Sequence, residues 1–146
     1  GRIMKVRQVL ESKGGELATI GPDRTIEEAI GELGRRRIGS LVVVDDSGKL
    51  VGILSERDLV AQMAEHGLDL TQSRVQDLMT RTVTTCRPDD DLTAVTVKMT
   101  DGRFRHVPVM DHGRLVGLIS IGDAVKARIN ELEHEREALR DYISSG

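Results

Sequence analysis

The sequence predicts an α/β (α+β) fold in which two copies of one small unit pack together and a long helix extends from the C-terminal end. Three observations lead there: an internal repeat, helix and strand patterns that alternate in the same order in each copy, and apolar spacing that continues beyond the second copy. Sliding the sequence on itself places Pro22-Asp23 over Pro88-Asp89, and with one gap near Ser47 the match runs to Val60 over Val125. Arg37/Arg103, Asp45/Asp111, Gly48/Gly113, Gly52/Gly117, Ser55/Ser120 and Asp58/Asp123 are among the identical pairs. The lead-in repeats too, Val6-Arg-Gln-Val-Leu10 resembling Val75-Gln-Asp-Leu-Met79. A unit of about 60 to 70 residues buries only about 60% of its unfolded surface and is marginal alone, which two copies packed together remedy.

Each element has its own signal. Val6, Val9 and Leu10 recur at helical spacing within Gly1 to Gly15, predicting a helix that packs on the pair and ends at Gly14-Gly15. Thr25-Ile-Glu-Glu28 has the form of a capping box, and Ile26, Ala29, Ile30 and Leu33 follow as one helix face. Leu41 to Val44 is a β-branched run, Asp45-Asp-Ser-Gly48 is turn chemistry, and Leu50 to Leu54 is a second apolar run, together a hairpin. Ser55-Glu-Arg-Asp58 then starts a helix through about His66, with Leu59, Val60 and Met63 expected to face inward. The second copy runs Asp91 to Thr100, Val107 to Met110, Asp111-His-Gly113, Leu115 to Ile119, and Ser120 onward. The boundaries read from these signals are 1–15 for the leading helix, 16–68 and 69–128 for the repeats, and 129–146 for a C-terminal extension. Val125, Ile129, Leu132, Arg136, Leu139 and Ile143 step by alternating fours and threes, a heptad seam with one basic interruption. That seam suits either a helix laid on its own domain or a subunit contact.

Composition narrows the function classes. The chain of 146 residues is 38% hydrophobic and 31% charged, a globular balance. With no Trp, and Phe104 and Tyr142 as its aromatics, it lacks the stacking platforms that single-stranded nucleic acid needs. A net charge of -3 gives no general attraction for nucleic acid or an acidic membrane, so any anion site is local. Cys86 has no partner for an internal disulfide and reads as structural, and no apolar run reaches the length of a membrane span. A cytoplasmic location is the expectation. Walker loops, nucleophile elbows, metal-ligand sets and catalytic triad spacings are absent from the sequence, so no enzyme activity and no metal are expected.

The strings Gly52-Ile-Leu-Ser55-Glu-Arg-Asp58 and Gly117-Leu-Ile-Ser120-Ile-Gly-Asp123 resemble the G-h-x-h-[ST]-x-x-D element of CBS domains. Thr19-Ile-Gly-Pro22 and Thr85-Cys-Arg-Pro88 resemble the T-h-x-P stretch that opens each domain of that family, and Asp77-Leu-Met-Thr80 resembles the start of a second copy. Arg105-His-Val-Pro108-Val resembles the stretch before the second strand. The resemblance covers roughly residues 5 to 128 and is to the short bacterial proteins built of little beyond one such pair.

It implies a Bateman module: two repeats with small sheets packed in pseudo-twofold symmetry, leaving two clefts for adenosine-containing ligands such as AMP, ATP or NAD(H). Carried over by position, Asp58 and Asp123 would hold ribose hydroxyls, and Ser55 and Ser120 would make polar contacts. Thr19, Thr80 and Thr85 would border the clefts, and the backbone at Val107-Pro108 would receive adenine. The residue chemistry is compatible, because a carboxylate accepts two bonds from a vicinal diol and a helix N-terminus favours phosphate. Ser-x-x-Asp is equally a plain capping arrangement. Arg103, Arg105 and His106 predict that the Asp123 cleft is the better anion site, with Arg57 assisting the other; Arg35-Arg-Arg37 reads more simply as a solvated helix end. The function expected is a regulatory nucleotide sensor acting through ligand-dependent conformational change and homodimer contacts on an unknown regulated protein. The alternative is a ligand-free dimerisation scaffold.

Overall fold

The computed structural model describes residues 3–14, 17–70 and 72–145. Helix α1 (Val6–Lys13) opens the chain. Gly14 follows it with φ 57°; Gly15, expected to share in ending that helix, lies outside the described residues, as do Gly1, Glu16 and the final Gly146. The first unit comprises β1 (Thr19–Ile20), α2 (Ile26–Arg36), β2 (Ser40–Val44), β3 (Leu50–Ser55) and α3 (Glu56–His66). After the short α4 (Val75–Leu78), the second unit comprises α5 (Leu92–Gly102), β4 (His106–Asp111), β5 (Arg114–Ser120) and α6 (Ile121–Ser145).

Local chemistry sets these boundaries. Thr25 caps α2, its hydroxyl accepting from Glu28 N at 3.1 Å, as the capping-box spacing predicts. The hairpin turn is held by Asp45, whose carboxylate accepts from Ser47 N and Lys49 N at 3.0 and 2.9 Å, while Gly48 supplies a φ of 83°. Sheet order is β1-β2-β3 in the first unit, with β1 parallel to β2 and β2 antiparallel to β3. The second unit has β4-β5 antiparallel, and in place of a first strand a single parallel bridge, Cys86 to Val109. A register shift falls after Val43 in one unit and after its counterpart Val109 in the other, so the duplication extends to backbone detail.

Two apolar clusters form, and the lead-in helices are exchanged between them. Val75 and Met79, from the lead-in of the second repeat, are buried with Ile26, Leu41 and Leu54 of the first unit. Val6 and Val9 of α1 are buried with Leu92, Val107 and Ile119 of the second. Each unit therefore completes its core with the other's leading segment. The expected inward residues of α3 divide: Leu59 is buried, Met63 is partly buried and Val60 is exposed, because only one side of α3 meets the sheet.

The exchange has a local measure at two equivalent glycines. A Cβ on Gly52 would lie 2.9 Å from the Thr80 carbonyl, which is fixed by its bond to Ile53 N, and 2.6 Å from Met79 Sδ. A Cβ on Gly117 would meet the Leu10 side chain end, which can rotate aside. Gly52→Ala is expected to destabilise by about 1–3 kcal/mol and Gly117→Ala by clearly less, checked by urea unfolding midpoints. Among the described residues no helix is long and apolar enough to cross a membrane.

Candidate functional site

The strand ends of both units converge on a cleft of about 430 Å³. From the first unit it is lined by Leu17, Ala18 and Arg37 to Ser40; from the second by His106, Gly117, Leu118, Ser120 and Asp123; and from α1 by Leu10 and Lys13. Asp123 lies in the first turn of α6, where its Oδ2 accepts from Ser120 N at 2.9 Å and the Ser120 hydroxyl accepts from Asp123 N at 3.0 Å. The same Oδ2 meets Lys13 Nζ at 2.9 Å. Burial works against the Asp123 charge, yet the Lys13 ammonium and the Ser120 N–H outweigh it and hold the carboxyl below the usual carboxylate range. Asp123 Oδ1 has no hydrogen-bond partner among the described residues.

The cleft wall carries a second unused group. Ser40 is 2% exposed, and its Oγ has no hydrogen-bond partner among the described residues. Leaving a hydroxyl buried and unpaired costs about 1–3 kcal/mol. Arg37, two residues before Gly39, is held at φ 54° and ψ 48°, the left-handed region that usually selects glycine at a helix end. Arg37 is among the residues lining the cleft, and its left-handed backbone costs about 1–2 kcal/mol.

His106 is half-buried beside Gly39, with 3.4 Å between its ring and the position of a Cβ on that glycine. Burial, and then the nearby Lys13 ammonium, push its pKa below the ordinary value, so near neutral pH the ring is an uncharged donor and acceptor rather than a cation. The unfolded chain binds this proton more readily than the folded one. Its contribution to stability is therefore complete above about pH 6.5 and is lost as pH falls from there through the folded-state value. Urea midpoints measured from pH 7.5 downward are expected to fall over that window, and His106→Gln to flatten the fall.

The equivalent Asp58 side is closed by internal bonds. Asp58 Oδ2 accepts from Ser55 N at 2.8 Å and from the Ser55 hydroxyl at 3.0 Å, and Oδ1 accepts from the Thr80 hydroxyl at 3.1 Å. Thr80 is drawn there because its backbone bridges Ile53 on β3.

Of the residues singled out from sequence, Ser120, Asp123 and His106 line the cleft. Ser55, Asp58 and Thr80 form the closed counterpart. Thr19, Thr85 and Arg57 are exposed outside the cleft, and Val107 and Pro108 are buried within β4. Arg103 and Arg105 are exposed and do not line the Asp123 cleft, contrary to the expectation that they enrich it. That expectation assumes a cleft built from one repeat. The start of β2 in the first unit instead meets the start of α6 in the second, so Arg37 rather than Arg103 lines the cleft with Asp123. Sequence reasoning also missed Lys13 and Ser40. Ser40 carried a signal, being the repeat counterpart of His106, but Lys13 lies past the end of the repeated lead-in and carried none. Cys86 is buried, and desolvation first, then nearby Asp90, push its thiol up to about 12, as suits a structural residue.

The sequence pattern of the CBS domain matches this chain twice, over residues 6–65 and 75–130. The chain belongs to the CBS domain family. A CBS-domain containing protein from Agrobacterium tumefaciens superposes with a TM-score of 0.82 at 46% identity, covering 86% of this chain and 99% of that one. The CBS domain pair of protein MJ0100, solved in complex with 5′-methylthioadenosine and S-adenosyl-L-methionine, superposes with a TM-score of 0.78 at 28% identity, covering 89% and 99%. CBSX2, solved in complex with AMP, gives 0.70 at 27% identity, covering 79% and 90%. Each matched stretch begins with a lead-in helix, α1 from Val6 and α4 from Val75.

Proposed function

We propose that this CBS pair is a regulatory, non-catalytic sensor of an adenosine nucleotide, AMP, ATP or NAD(H), which it binds in the Asp123 cleft and reports through a homodimer to a regulated protein in the cytoplasm. The observation that carries the reading is one cleft holding a carboxylate oxygen and a buried hydroxyl, both without partners among the described residues. A ribose diol supplies donors to Asp123 Oδ1, an adenine edge meets the backbone and hydroxyl at Ile38 to Ser40, and Arg37 and Lys13 face the phosphate. The N-terminus of α6 adds N–H groups to the same anion. Related CBS pairs solved with adenosine compounds support the ligand class. Asp58, with the Thr80 hydroxyl released and Arg57 beside it in the chain, forms a second position for the same ligand.

The scaffold reading draws on the internally satisfied Asp58 and on the exposed apolar seam of α6, and expects no nucleotide response. A panel of AMP, ATP, NAD+ and NADH in thermal unfolding separates the two. At a hundredfold excess over the dissociation constant, binding stabilises by about 2.7 kcal/mol; no shift with any of the four favours the scaffold.

Arg37 separates binding from folding. In Arg37→Gly, relief of the left-handed backbone offsets the greater entropy of glycine in the unfolded chain, so stability is expected within about 1 kcal/mol of wild type. Loss of one phosphate-facing cation is expected to weaken AMP roughly threefold to tenfold in calorimetry. Arg103→Gly, at the equivalent left-handed position outside the cleft, is expected to leave AMP binding there unchanged.

A further inference from the structure

The last helix offers a surface that the body of the protein does not use. Ala124 is buried and Ala127, Arg128 and Glu131 are partly buried where α6 lies on the second unit, but from Leu132 to Ser145 every residue is exposed. Those last residues project about 20 Å at 1.5 Å per residue. Val125, Ile129, Leu132, Leu139 and Ile143 are all exposed and form one stripe, set about a quarter turn from the face that rests on the body. The seam is therefore not spent on the chain's own core.

We infer that α6 pairs with α6 of a second copy as a parallel, in-register two-stranded coiled coil. The flanking charges select this arrangement. With Val125, Leu132 and Leu139 at d and Ile129, Arg136 and Ile143 at a, the g positions hold Arg128, Glu135 and Tyr142 and the e positions hold Lys126, Glu133 and Arg140. In a parallel pair each g position meets the e position five residues on in the other copy. Arg128 then faces Glu133 of the second copy, and Glu135 faces Arg140 of the second copy, two complementary contacts on each side. Arg128 already bonds Thr93 and Glu131, and its guanidinium keeps donors for a further acceptor. The antiparallel arrangement with the same apolar layers sets Glu133 against Glu133, Glu135 against Glu135 and Lys126 against Arg140, all of like sign. Arg136 fits the same scheme. At an a position in a parallel dimer it lies next to Glu135 of the second copy, and a single polar layer of this kind fixes register and two-stranded state.

This deepens the homodimer of the proposed function and is independent of any nucleotide. Sedimentation equilibrium of the full chain is expected to show a dimer that Glu135→Arg or Arg140→Glu weakens roughly tenfold, by turning attraction into repulsion at both symmetric contacts. The double exchange Glu135→Arg with Arg140→Glu is expected to restore it. Leu139→Cys is expected to form a disulfide-linked dimer on mild oxidation, since Leu139 faces itself only in the parallel register, and buried Cys86 stays unreacted. A monomer at every concentration would overturn both this inference and the homodimer. A dimer that is indifferent to the charge variants, with Leu139→Cys unlinked, would overturn the coiled coil alone.

Discussion

Asp123→Ala is expected to weaken AMP binding by about thirtyfold to a hundredfold, whereas Asp58→Ala changes it by no more than about threefold. A hydrogen bond to an ionised group contributes about 1.5–3 kcal/mol, and in the proposed site the Asp123 carboxylate accepts from the ribose hydroxyls. Its Lys13 and Ser120 contacts occupy one oxygen and leave the other without a partner among the described residues. Asp58 has both oxygens committed within the protein, so a ligand there must first displace the Thr80 hydroxyl. Isothermal titration calorimetry on the two variants measures the contrast, with unfolding midpoints to show that each is folded. Equal losses would mean that the Thr80 contact yields readily and that the clefts are alike.

Ile26→Ala and Ile119→Ala are each expected to cost about 2–4 kcal/mol and to lower Tm by roughly 5–15 °C. Both side chains are fully buried, Ile26 in the first cluster and Ile119 in the second. The two variants should shift one and the same cooperative transition. With α1 built into the second cluster and α4 into the first, neither unit keeps its core if the other unfolds. Differential scanning calorimetry tests this: two transitions, of which only one moves in each variant, would show units that fold independently.

The fold was largely legible because its signals are local and occur twice. Thr25 with Glu28, Asp45 with Gly48, and Ser55 with Asp58 each make, within a few residues, the contacts that their spacing announces. A second copy of the last, Ser120 with Asp123, repeats the reciprocal cap. Partnership between the copies was not legible. The repeat equates Arg37 with Arg103 and Leu10 with Met79, but gives no sign that Arg37, Leu10 and Met79 each serve the other unit. For the same reason the repeat pattern groups Arg103 and Arg105 with Asp123, whereas Lys13 and Arg37, from the chain's first half, line its cleft. Val60 departs from its expected burial for a different reason. Its spacing fits the inner face of α3, but the sheet covers too little of that helix to reach it.

The most direct test is a backbone amide NMR titration of the wild-type chain with AMP. The amides of Ala18, Ile38, Gly39, Ser40, Gly117, Ser120 and Asp123 are expected to shift together and saturate with one dissociation constant. Saturation without movement of these amides, with the shifts gathered instead around Met79, Thr80 and Asp58, would place the ligand on the wrong side of the pair; no shift at all would remove the nucleotide from the function.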